Sequence, residues 1–136
     1  MRSVLTLVLS LAIGGCETAD PKEDLEARAR AGDPAAACDL VLHDLQECSD
    51  ARKEWLARAG SPRPACMAEP LPAEHQRYFS DAIESLEGPP ERKELLGIIN
   101  DGVILAAASL KLDVGTQERL DSLIDIIAQS CATLHP

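Results

Sequence analysis

Apolar residues recur three and four positions apart along most of the chain, the spacing that puts side chains on one face of an α-helix. Val41, Leu45 and Cys48 mark one stripe, and Phe79, Ile83 and Leu86 a second. Leu120, Leu123, Ile124, Ile127, Cys131 and Leu134 mark a third, on a helix expected from Thr116 to Leu134. Start and stop signals frame the segments. Asp20 with Pro21 opens a first helix that ends near Ala31, with Gly32 as the residue after the cap, and Asp33-Pro34 repeats the start. Ser49-Asp50 predicts a turn before a further helix, Asp50 to Ala59, which stops at Gly60; a single helix from Pro34 to Ala59 is the alternative. Four prolines between Ser61 and Pro72 make that stretch a loop. Ala73 to Glu87 reads as helix, ended by Gly88-Pro89-Pro90.

The segment from Glu91 to Leu112 has another texture. It carries Leu95, Leu96, Ile98, Ile99, Val103, Ile104 and Leu105, followed by three alanines. A helix apolar on most sides is expected to be buried. Asn100 and Asp101 in mid-run argue against a membrane span, since an acid there costs about 3 kcal/mol. Asn100-Asp101-Gly102 fits either a break in the helix, with Asp101 as a cap, or a hairpin turn between two short strands.

The first fifteen residues read as an export signal and not as structure. Arg2 supplies a positive start, and Val4 to Ile13 is uncharged and almost wholly apolar. As a helix this run would extend about 15 Å, half of a bilayer core of about 30 Å. It ends in Ile13-Gly14-Gly15-Cys16, which resembles the bacterial lipobox: an aliphatic residue, two small ones and a cysteine. The resemblance implies that the Cys16 thiol is acylated and that Cys16 becomes the new N-terminus. The organisation expected is a signal over 1–15, a lipidated start and short tether over 16–20, and one helical domain over 21–136. The tether then reaches at most about 15 Å.

Charge and cysteines agree with that address. The chain has a net charge of −10, and loss of residues 1–15, with one base and no acid, makes the mature value −11. Such an excess disfavours nucleic acid and anionic headgroups as partners. Besides Cys16, four cysteines (Cys38, Cys48, Cys66 and Cys131) form an even set suited to an oxidising compartment. A Cys38–Cys48 bridge is excluded if both lie on one helix, about 15 Å apart. If the chain turns at Ser49, the pairing expected is Cys38–Cys66 and Cys48–Cys131. If the helix is continuous, Cys66 folds back to Cys48 and leaves Cys38 for Cys131.

An internal repeat lies in the N-terminal half. Ala29 to Cys38 aligns with Ala57 to Cys66, identical at seven of ten positions with a period of 28. The order of helix, Ala-x-Ala-Gly, then Asp/Ser-Pro resembles the Sel-like repeats, relatives of the tetratricopeptide repeat, over about residues 25–66. The resemblance implies a helical-repeat contribution to the fold and a role in protein binding.

Candidate chemistry is sparse. Asp39, His43 and Glu47 share one helix face and would suit a metal with further ligands; the plainer expectation is a solvated face. Cys131 and His135 are four apart, the first expected as half of a disulfide and the second as part of a frayed end. No nucleophile elbow, phosphate loop or His-Glu-x-x-His motif occurs, and no cofactor is expected. The expectation is therefore an all-α bundle of five to six helices, stapled by two disulfides. Its expected role is that of a non-enzymatic, partner-binding or structural lipoprotein of the bacterial cell envelope. It would be anchored to a membrane by lipid, with another protein as its partner. An inhibitor or immunity-type lipoprotein is the alternative, ahead of an enzyme or a metal-binding protein.

Overall fold

The computed structural model describes residues 21–113 and 117–135. The signal, Cys16, the tether, Asp20 and Thr116 lie outside the described residues. Within them the chain forms five α-helices: α1 (Pro21–Arg30), α2 (Pro34–Ala57), α3 (Ala73–Ser85), α4 (Pro90–Leu110) and α5 (Gln117–Ala132). A 3-10 turn, Ala65–Met67, interrupts the proline-rich loop. No strand occurs among the described residues.

The punctuation works as its chemistry requires. Gly32 takes φ +101°, and the N–H groups of Gly32 and Asp33 donate to the carbonyls of Ala29 and Arg28, which closes α1. Asp33 then caps α2, its Oδ1 accepting from Ala35 N at 3.0 Å and Ala36 N at 3.3 Å, with Pro34 at the first turn.

Helix α2 is the axis of the molecule. All four other helices pack on it, and its buried residues run from Ala35 to Arg52 on more than one face. Three successive buried alanines at its start, Ala35 to Ala37, let neighbouring backbones approach closely. Leu40, Leu45, Phe79, Met67, Leu96 and Leu110 are fully enclosed and form the centre of the core. The α5 stripe packs as its spacing predicts, with Leu120, Ile124, Ile127, Cys131 and Leu134 buried and Leu123 at the margin.

Three expectations are corrected. The chain does not turn at Ser49-Asp50, because the Ser49 side chain is taken up by α5 and not by its own backbone. Ser49 is buried, accepting from Gln117 Nε2 at 2.8 Å and donating to Asp121 Oδ1 at 3.3 Å. One turn on, Arg52 is 2% exposed and donates to Gln117 Oε1 at 2.7 Å and to the carbonyl of Leu112 at 3.2 Å. The disulfides follow from the unbroken helix. They are Cys38–Cys131 and Cys48–Cys66, not Cys38–Cys66 and Cys48–Cys131, with Cα separations of 5.6 and 5.8 Å. Cys38 and Cys48 stand about 15 Å apart along α2, and the loop after Gly60 returns only as far as Cys48. The two aligned copies of the repeat thus differ in structure, Cys38 lying within α2 and Cys66 in the 3-10 turn.

The third correction concerns α4. It runs through Asn100-Asp101-Gly102 without a break, so Asp101 caps nothing and is exposed, and there is no hairpin. Gly102 faces α5: a Cβ added there would lie 3.7 Å from Ile127 Cγ1. Nor is α4 buried all round. Its core face is Leu96, Ile99, Val103, Ala106 and Leu110, while Leu95, Ile98, Ile104 and Leu105 are exposed. Two arginines close its C-terminal end, Arg52 on the Leu112 carbonyl and Arg63 on the Lys111 carbonyl at 2.8 Å.

Candidate partner-binding face

Two places hold functional groups in unusual settings: a buried polar cluster under α1, and the outer surface of α4. In the first, His75 of α3 sits between two carboxylates. Its Nδ1 is 2.6 Å from Asp44 Oδ2 on α2, and its Nε2 is 3.3 Å from Glu26 Oε2 on α1. His75 is 8% and Asp44 6% exposed. Lys22 approaches Asp44 at 3.8 Å and Glu47 at 3.9 Å. Burial pushes the Asp44 carboxyl above its ordinary value, opposed by the hydrogen bond and charge of His75 and by the charge of Lys22. Beside it, the Arg30 Nε donates to the Tyr78 hydroxyl at 3.2 Å, and the Tyr78 hydroxyl donates to Glu74. That hydrogen bond holds the Glu74 carboxyl below its ordinary value.

An Asp–His pair invites a catalytic reading. Here both ring nitrogens already face carboxylates, so neither is left to take a proton from a substrate. The cluster instead ties α1, α2 and α3 together. Nothing in the helical periodicity marks His75 or Asp44, and the sequence reading passed over both. The only signal was that each interrupts an otherwise inward-facing row, Asp44 beside Val41 and Leu45, His75 one turn before Phe79.

The row Asp39, His43 and Glu47 does not converge. Asp39 Oδ2 lies 2.7 Å from His135 Nε2, which ties the C-terminal end to α2 where fraying was expected. Glu47 turns to Lys22, and His43 is half-buried, its Nδ1 without a hydrogen-bond partner among the described residues. The face is thus only partly solvated. No group of three or more His, Cys, Asp or Glu among the described residues is arranged to hold a metal ion.

The second place is the α4 surface. Leu95, Ile98 and Leu105 project from one side of the helix, within about 80° of one another and in line with Gly102. Ile98 is 62% and Leu105 58% exposed. On α5, next to Ile127, which Gly102 faces, Ile126 is 60% exposed. Helix α1, which the tether would precede, packs on α2 and α3.

Toward α3 the same surface dips into a shallow groove. Gly97, Ile98 and Ile83 form its apolar part, and Glu84, Glu94 and Asp101 its rim. A Cβ placed on Gly97 would meet nothing within 4 Å, so the absent side chain leaves open space there. No protein-family model, curated protein or solved structure matches the chain. No described helix is long and apolar enough to cross a membrane.

Proposed function

We propose that this protein is a lipid-anchored component of the bacterial cell envelope that binds another protein through the outer face of α4. The observation carrying this reading is the row of exposed apolar side chains, Leu95, Ile98 and Leu105, along one side of α4. Scattered apolar residues on a surface are ordinary, whereas a contiguous patch flanked by polar residues marks an interaction site. The lipobox resemblance at Ile13 to Cys16 supports the anchor, and the disulfides suit an oxidising compartment. The acidic groove rim favours one second reading, an inhibitor or immunity-type lipoprotein that masks a basic enzyme or toxin.

The test uses the full chain in cells, with a photo-crosslinking residue at Ile98 or, as control, at Glu47 on the exposed part of α2. A discrete protein adduct is expected from position 98 and not from 47, with a clickable palmitate label on the wild type and none on Cys16→Ala. Adducts from neither position, or equal adducts from both, reject the binding face. A label that persists in Cys16→Ala rejects the anchor.

A further inference from the structure

The partner's chemistry follows from how the acids of the molecule are spent. Several carboxylates elsewhere are paired with a base: Asp24 with Arg28, Glu26 with Arg30, Glu54 with Arg58, Asp113 with Arg63, and Asp121 with Lys53. The three on the groove rim, Glu84, Glu94 and Asp101, have no ion-pair partner among the described residues, and the groove lining contains no base. Between them lie Ile83, Ile98 and the open space over Gly97. Asn100 lines the same groove, its Oδ1 buried and without a hydrogen-bond donor among the described residues.

An apolar floor and three unpaired acids form the complement of one kind of ligand. We infer that the α3–α4 groove receives a cationic amphipathic helix, its apolar side on Ile83 and Ile98 and its Lys or Arg residues on Glu84, Glu94 and Asp101. This rests on the partner-binding reading and names the partner's class. A second copy of the chain fits poorly, because it would bring another molecule of net charge −10 and the same three acids to the same place. An anionic lipid surface is repelled for the same reason. Lysine and arginine stems add apolar cover while their charged ends reach the rim, so a helix with both kinds of residue satisfies floor and rim together.

The experiment takes the lipidated full chain in zwitterionic nanodiscs, with empty discs as background. The probes are a labelled leucine–lysine amphipathic helix of about 18 residues, roughly 27 Å long, and its leucine–glutamate counterpart. Binding is expected for the lysine peptide only, weakening as salt rises from about 0.05 to about 0.5 M. Glu94→Lys with Asp101→Lys should weaken it roughly tenfold or more, as should Ile98→Asp, while Glu23→Lys on α1 should leave it unchanged. Circular dichroism confirms that each variant is folded. No binding of the lysine peptide, equal binding of both peptides, or indifference to the rim reversal overturns the inference. So does sedimentation showing a dimer that Ile98→Asp dissolves, since the occupant is then a second copy. In cells, an Ile98 adduct that survives rim reversal sinks the cationic partner but keeps the binding face; loss of any adduct in the unreversed chain sinks the binding face itself.

Discussion

Helix α1 is the most polar of the five and α4 the most apolar, yet neither is placed as that contrast suggests. Helix α1 buries one residue, Ala29, and is held by Lys22, Glu26 and Arg30, whose partners include the buried Asp44 and His75. Helix α4 buries a narrow stripe and leaves Leu95, Ile98 and Leu105 in solvent. Hydrophobicity thus measures how much surface a helix has to cover, while topology decides what covers it. On the α1 side, polar groups converge from three helices and satisfy one another. On the α4 side, the neighbours α2, α3 and α5 leave Leu95, Ile98 and Leu105 uncovered, and that row is what the proposed partner would cover.

The two disulfides offer the largest break in this comparison, because one secures the α5 side and the other only a loop. Cys38–Cys131 spans 93 residues and Cys48–Cys66 spans 18. In the chain-entropy view, replacing the first pair with alanines should cost about 4.5 kcal/mol and the second about 3 kcal/mol. Urea melts of the two double variants measure both. A larger loss from Cys48→Ala with Cys66→Ala would show that the loop, and not the α2–α5 tie, limits stability.

A sharper cut comes from adjacent residues on α4. Leu96 is fully enclosed and Leu95 is 41% exposed. Leu96→Ala should cost about 3 kcal/mol, through lost burial and the cavity left behind. Leu95→Ala should stay within about 0.5 kcal/mol. Comparable losses at the two positions in chemical denaturation would mean that the outer face is packed against something within the protein, and the face would lose its claim as a docking surface.

Much of the fold was legible because its signals are local. Gly32, Asp33-Pro34 and the proline cluster act through their own backbone, and the α5 stripe needs only its spacing and a core to face. What escaped was decided at a distance. Ser49-Asp50 reads as a turn until Gln117 and Asp121 take the Ser49 hydroxyl, and with the turn went the expected disulfide pairing. Asp101 reads as a cap within an apolar run, since periodicity does not tell which half of α4 meets α2. His75 and Asp44 were invisible because a buried pair is defined by two residues 31 apart in sequence. The exposed face of α4 is the reverse case: its residues were all noticed, but as core.

The smallest effect tests the polar side of the comparison through pH. Burial raises the Asp44 carboxyl above its ordinary 3.8, against the pull of His75, of Lys22 and, least, of His43; Glu26 and Glu47 are the other charged groups beside this site. A carboxyl raised on folding binds its proton more tightly in the native state than in the unfolded chain. Its contribution is therefore fully present below the unfolded value and is lost as pH rises through the folded one. Asp44→Asn keeps the shape of the side chain and removes this titration. The stability of the wild type relative to Asp44→Asn should accordingly fall, by less than about 2 kcal/mol, as pH is raised from below 3.8 into the weakly acidic range. Urea melts of both proteins at matched pH values give the difference directly. If the wild type instead gains on the variant as pH rises, the ionised carboxylate is favoured by its partners more than burial penalises it, and the cluster under α1 is a net electrostatic clamp.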